Sequence, residues 1–238
     1  LDDSQTHRLV IEGLFGGVFR ATSTRTLIKQ KLLSNIHIDC INLTYSAEDL
    51  QETKRMKYQD EIKWIVSNPQ RNEFISNLAN NVKTNTLILF NYVDLHGKPL
   101  YNAIKEKCKG RKVFFIYGGT DTEQREEIRN VVDLEKDAIL IASYGTCSTG
   151  INIKNIHNII FASPSKSVIR VLQSIGRGLR VTKTKNTMKL YDISDDLRYK
   201  KYINHTMRHL DERLKIYNRE KFDFELIKIR LGDKINGK

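Results

Sequence analysis

Five short apolar runs recur along the chain: Thr86-Leu-Ile-Leu-Phe90, Val113-Phe-Phe-Ile-Tyr117, Ala138-Ile-Leu-Ile-Ala-Ser143, Asn158-Ile-Ile-Phe-Ala162 and Met188-Lys-Leu-Tyr-Asp-Ile193. Runs of this length that stay apolar at successive positions suit strands buried on both faces, the situation of a parallel sheet covered by helices. The stretches between them carry helical spacing, so strand and helix alternate, and the expected class is α/β with a mainly parallel sheet flanked by helices. An earlier strand is expected from Ile36 to Leu43. From Ala47 to Asn81 Met56, Ile62, Ile65 and Val66 are the expected buried positions, and Pro69 divides the stretch into two helices. Further helices are expected from Leu95 to Cys108 and from Thr122, where Asp121 stands as cap and Gln124 in a capping-box position. Leu197, Ile203, Leu210, Leu214 and Tyr217 predict a long amphipathic C-terminal helix from Asp195 to about Phe222. Trp64, in a charged helical context, is expected to pack rather than to stack on a base.

Within this frame one helical stretch stands apart. In Val168-Ile-Arg-Val-Leu-Gln-Ser-Ile-Gly-Arg-Gly-Leu-Arg180, Val168, Leu172, Ile175 and Leu179 form one stripe, while Gln173, Arg177 and Arg180 project along a neighbouring one. Gly176 and Gly178 each cost about 1 kcal/mol relative to alanine in a helix, which suggests close approach of a ligand. From Ala138 to Tyr191 there is no Asp or Glu, although the chain has 28 acids in 238 residues. The run holds Lys154, Lys166, Arg170, Arg177, Arg180, Lys183, Lys185 and Lys189. A phosphate is the expected partner for these cations; a solvated basic face paired with distant acids is the alternative.

These residues carry a resemblance. Gln173-Ser-Ile-Gly-Arg177-Gly-Leu-Arg180 resembles motif VI, Q-x-x-G-R-x-x-R, of the superfamily 2 helicases, and Ala142-Ser-Tyr-Gly-Thr-Cys-Ser-Thr-Gly150-Ile-Asn-Ile153 resembles their motif V. Gly13-Leu-Phe-Gly16, Phe114-Phe-Ile-Tyr-Gly-Gly119 and Lys215-Ile-Tyr-Asn-Arg-Glu-Lys-Phe222 are similar to segments of the recombination helicases of T4-type phages. The resemblance implies a RecA-like second motor lobe over residues 36–230. Residues 1–35 would connect it to a first lobe outside this sequence, in cis or on a separate chain, and 231–238 would be a polar tail. It implies that Arg180, Arg177 and Gln173 act on a nucleotide held mainly by the first lobe together with Mg²⁺, with Gly150 and Asn152 beside the nucleotide. Asn152 stands where many relatives have Gly-x-Asp, and the motif V loop is one residue longer than in DEAD-box patterns.

In doubly wound sheets ligands gather outside the carboxyl ends of the strands. The loops there, 91–98, 118–120 and 143–150, are rich in glycine and small polar residues, and the resemblance makes them the helicase motifs that follow a nucleic-acid backbone. Asn91, Lys98, Thr120, Ser143, Thr146 and Lys166 are the expected DNA contacts. Asn91 and Thr120 either cap helices or cap them and also meet a phosphate. The whole enzyme would then remodel branched DNA by junction branch migration, fork regression and R-loop unwinding, in recombination and repair. Its expected place is the cytoplasm of the infected host.

Composition is consistent with a polyanionic partner: the net charge is +12. No apolar run approaches the roughly 20 residues that span a bilayer, and no membrane partner is expected. Cys40, Cys108 and Cys147 form no C-x-x-C pair, which argues against a zinc site and a disulfide framework. His205 and His209 lack the H-E-x-x-H glutamate and are expected on a solvated helix face. The sequence contains neither G-x-x-x-x-G-K-[ST] nor D-E-x-[HD], the elements that hold ATP phosphates and magnesium. Leu1 suggests a fragment or processed product. A non-hydrolysing nucleic-acid-binding module with the same basic loops is the alternative function, and an unrelated α/β enzyme is disfavoured by the absence of G-x-G-x-x-G.

Overall fold

The computed structural model describes residues 9–10, 12–14, 16, 35–148, 153, 155–164 and 187–232. The order of elements is β1 (Asn35–Thr44), α1 (Ala47–Glu52), α2 (Tyr58–Ser67), α3 (Pro69–Asn81), β2 (Thr86–Phe90), a π-helical turn (Val93–Gly97), α4 (Lys98–Lys107), β3 (Val113–Ile116), α5 (Thr122–Leu134), β4 (Ile139–Ser143), α6 (Tyr144–Ser148), β5 (Asn158–Phe161), β6 (Thr187–Asp196), α7 (His205–Glu220) and β7 (Asp223–Arg230). The strands form one seven-stranded sheet in the order β3-β4-β2-β5-β6-β1-β7. Every pairing is parallel, with Thr86 opposite both Ile139 and Asn158, and Asn35 opposite Thr187.

Alternation along each strand divides the core in two. Leu87, Leu89, Leu140, Ile159 and Phe161 pack on one face with Val132 of α5 and Leu210 and Tyr217 of α7. Ile88, Phe90, Ile139, Ile141 and Ile160 pack on the other with Ile65, Phe74, Ile75, Leu100 and Ile104 from α2, α3 and α4. Both faces of β2 are therefore covered, and all five of its residues are buried. Pro69 opens α3 at its first turn, and Asn68 caps it by accepting the Arg71 N–H at 3.0 Å. Trp64 packs edge-to-face on Tyr45, with centroids 5.3 Å apart. Met56, expected inside, is half-buried. Asp121 sits at the N-cap of α5 as expected but makes no side-chain cap bond.

The C-terminal region differs most from the expectation. β6 continues to Asp196, α7 begins only at His205, and a further strand, β7, follows it on the outer side of β1. Asp195, where the helix was expected to begin, is a strand residue whose carboxylate meets the fully buried Arg71. Arg213 donates to Asp192 at 2.8 Å, and Tyr217 OH donates to the same oxygen at 2.8 Å, fastening α7 to β6. The start of α7 is anchored by Glu61 of α2, whose buried carboxylate accepts from the backbone N–H of His205 at 3.0 Å and Thr206 at 2.8 Å. An anion there meets unpaired amides and the positive end of the helix dipole. His209 is buried, and Tyr58 lies edge-on to both His205 and His209. That aromatic cover corrects the expected solvated pair.

Candidate nucleic-acid and nucleotide edge

Because the sheet is wholly parallel, the carboxyl ends of β3, β4, β2 and β5 lie side by side along one edge. The loops after them carry Thr120, Ser143, Thr146 and Asn91. At β4, Ser143 Oγ lies 2.7 Å from Thr146 Oγ1 and accepts the Thr146 N–H at 3.3 Å, so the serine caps α6. At β3, Thr120 Oγ1 accepts from the Tyr117 N–H at 3.1 Å and Thr120 N–H donates to the Tyr117 carbonyl at 3.0 Å. Thr120 thus closes the turn after β3; the N-cap of α5 is Asp121. Asn91 caps nothing either. Its backbone N–H donates to Ser163 Oγ at 3.1 Å, and its side-chain amide donates to the Pro164 carbonyl at 3.3 Å.

Ser163, which follows β5, is the junction of this edge. His96 of the π-helical turn bonds its hydroxyl at 2.8 Å through Nδ1, and Tyr144 OH donates to its carbonyl at 3.2 Å. The loops after β2, β4 and β5 are thereby held by one residue. Burial, with the nearby Arg71 charge, pushes the His96 pKa down to about 3, so its ring is neutral at physiological pH. The turn lies close on Phe90: a Cβ on Gly97 would stand 2.5 Å from the ring. Below the edge, Arg71 is fully buried. It donates to Asp195 at 2.7 and 3.2 Å and to the Ala162 carbonyl at 2.7 Å, and Tyr45 OH adds a bond to Asp195 at 2.6 Å. This network ties the end of β5 to β6.

Lys98 is exposed at the start of α4, where it pairs with Asp94 at 2.6 Å. An exposed pair of this kind is weak and open to competition from a phosphate. Lys189, one of the cations of the acid-free run, has a protein partner after all: Asp39 on the neighbouring strand, at 2.8 Å. Gly150, Asn152, Lys166, Gln173, Arg177 and Arg180 lie outside the described residues. Ser163 and His96 were not among the expected site residues. The available signal for Ser163 was its place, a small polar residue directly after a buried strand; for His96 a turn pattern without helical period gave none.

Residues 70–182 match the helicase conserved C-terminal domain. The chain is 32% identical to the ATP-dependent DNA helicase UvsW of Enterobacteria phage T4 over 244 residues, covering 97% of this chain and 48% of UvsW. It spans, then, about half the length of that relative. The crystal structure of T4 UvsW superposes with a TM-score of 0.71 at 33% identity, over 92% of this chain and 44% of that one. The DNA-bound Type ISP restriction-modification enzyme LlaBIII shares the fold at a TM-score of 0.61 and 12% identity, over 94% of this chain and 17% of that one. No helix among the described residues is long and apolar enough to cross a membrane. By its matching stretch, its all-parallel sheet and its likeness to UvsW along 97% of its residues, the chain carries a helicase conserved C-terminal domain at residues 70–182 and has the RecA-like fold of that domain.

Proposed function

We propose that the chain is the second motor lobe of an ATP-dependent DNA helicase that remodels branched DNA in recombination and repair. The observation that carries this reading is the likeness to UvsW, an ATP-dependent DNA helicase, along 97% of the chain. The motif VI residues Gln173, Arg177 and Arg180 fall inside the matched helicase domain. In this reading ATP is held, with Mg²⁺, mainly by a first lobe to which residues 1–35 lead, because the chain has neither the phosphate loop nor the acidic magnesium motif. Arg180 and Arg177 reach the β- and γ-phosphates, and Gln173 of the same motif links nucleotide state to closure of the lobes. Gly150 and Asn152 stand beside the nucleotide.

DNA lies along the carboxyl edge. Asn91, Thr120, Ser143 and Thr146 are held in fixed geometry there, with Lys98 and Lys166 adding charge. The hydroxyls of Ser143 and Thr120 are already bonded to the chain, so the contacts they offer are second lone pairs and adjacent backbone amides. Junction branch migration, fork regression and R-loop unwinding are the proposed outcomes of the strokes.

The test is salt-dependent DNA binding. Lys98→Ala should weaken binding to all sequences alike and lower the slope of log K against log salt by about 0.9 on duplex DNA, one phosphate's share. Asp94→Ala should do the opposite to affinity, since it removes the acid that competes for Lys98. An unchanged slope for Lys98→Ala together with unchanged affinity for Asp94→Ala removes this lysine from the DNA track.

A further inference from the structure

A cleft of about 530 Å³ opens on the same carboxyl edge but beyond β5, away from the loops of β2, β3 and β4; it is lined by Lys54, Arg55, Tyr199, Lys200, Lys201 and Tyr202. Its two walls follow the adjacent strands β1 and β6. One wall is the turn after α1, where the Met56 N–H donates to the Thr53 carbonyl at 3.2 Å. The other is a tight hairpin in which Tyr199 and Tyr202 exchange backbone bonds at 3.1 and 2.9 Å, so that Lys200 and Lys201 form its tip between two tyrosines.

Three observations point to a ligand. Among the described residues none of the four cations pairs with a carboxylate, whereas Arg198 at the base of the hairpin is taken by Asp196 at 2.7 Å. Arg55 and Lys200 hold left-handed backbone, φ 58° and 53°, a region unfavourable for residues with a Cβ and free for glycine. They are two of only four described non-glycine residues with positive φ, and both line this cleft; strain of this kind collects where a binding surface needs a particular side chain. The hairpin is also fixed in advance, because Asn204 accepts from the Leu197 N–H at 3.1 Å and donates to the Asp195 carbonyl at 3.0 Å. Two half-buried phenol rings beside four cations without a described carboxylate partner, Lys200 Nζ lying 5.5 Å from the centroid of the Tyr199 ring, match one chemistry: a planar base to stack and phosphates on either side of it.

We infer that this cleft is a second nucleic-acid contact, which receives an unpaired nucleotide of a single strand, its base against Tyr199 or Tyr202 and its phosphates on Lys54, Arg55, Lys200 and Lys201. The inference rests on the reading of the chain as a nucleic-acid motor lobe and extends it: the edge around β2 to β4 follows a backbone, while the cleft beyond β5 engages a base. An acidic peptide would satisfy the cations but leave the rings without a planar partner.

The test is fluorescence anisotropy of the 238-residue chain with labelled oligothymidylate, oligouridylate, an abasic oligonucleotide and a blunt duplex, all of one length. Tyr199→Ala with Tyr202→Ala should weaken binding of the base-bearing single strands on the order of tenfold or more, and leave the abasic strand and the duplex within about twofold. Tyr199→Phe with Tyr202→Phe keeps the rings and should keep the affinity, which separates stacking from a folding defect. Lys54→Ala with Lys201→Ala should lower the single-strand salt slope by about 1.4, roughly 0.7 for each phosphate. A loss confined to oligothymidylate or to oligouridylate identifies the strand the cleft takes. Equal losses on duplex and abasic probes overturn base recognition. Unchanged binding in every cleft variant, with Lys98→Ala still weakening the duplex, overturns the cleft and leaves the motor reading standing. A chain that binds none of the four probes overturns both.

Discussion

Arg180→Ala in the two-lobed enzyme is expected to lower the ATPase rate about 10³- to 10⁵-fold, or roughly 4 to 7 kcal/mol of transition-state stabilisation. The loss is that large because an arginine finger acts on charge that develops only as the phosphoryl group transfers, so its removal is not compensated in the ground state. Arg180→Lys should restore little: lysine brings a point charge without the planar fork that meets two oxygens at once. The fold should survive the change, since it leaves the apolar residues Val168, Leu172, Ile175 and Leu179 in place. DNA affinity should also survive, because the loops after β2, β3 and β4 are built on other elements. Steady-state ATPase and DNA binding measured on the same variant decide the matter. Near-normal hydrolysis, or lost DNA binding with hydrolysis retained, would move Arg180 from the nucleotide to the DNA track and leave Arg177 as the finger.

The second large effect is on stability. Arg71→Met should destabilise the fold by about 3–5 kcal/mol, because it leaves the Asp195 carboxylate buried without its cation. Asp195 would keep the Tyr45 hydroxyl at 2.6 Å, but that one donor does not replace a charged fork. The Ala162 carbonyl would lose its bond as well. For a domain of this size each kcal/mol moves the melting temperature by about 2–4 °C, so a fall near 10 °C is expected. Arg71→Met combined with Asp195→Leu should recover much of it, since a buried ion pair replaced as a unit by apolar residues is often neutral. A double-mutant cycle from urea denaturation reads the coupling directly. Additive losses would show that Arg71 and Asp195 act independently, against the 2.7 Å contact.

How far the sequence could be read depended on where each residue found its partner. β2, β3, β4 and β5 were legible because continuous apolar runs need no distant information. Pro69 was legible because its effect on the backbone is its own. Asp195 was not, because the arginine that makes a buried aspartate tolerable stands 124 residues away in α3. The Arg71–Asp195 pair stands where β6 runs on and a helix was expected; Asp192, inside the expected strand, similarly depends on Arg213 of α7 for its partner. β7 escaped for a different reason. As the edge strand it buries little: Phe224, Ile227 and Ile229 are half-covered among charged neighbours, and its run Asp-Phe-Glu-Leu-Ile-Lys-Ile-Arg has no apolar block. At the carboxyl edge, the positions of the loops followed from the strands, but their internal wiring through Ser163 and His96 did not, since it arises only when β2 and β5 become neighbours.

DNA-stimulated ATP hydrolysis, measured on the 238-residue chain alone and joined to a first lobe that carries the phosphate loop and the acidic magnesium motif, tests the motor-lobe assignment most directly. The expected result is DNA binding without hydrolysis for the chain alone, and DNA-stimulated hydrolysis, sensitive to Arg180→Ala, once the first lobe is supplied. Robust hydrolysis by the chain alone, or none after joining, would contradict it.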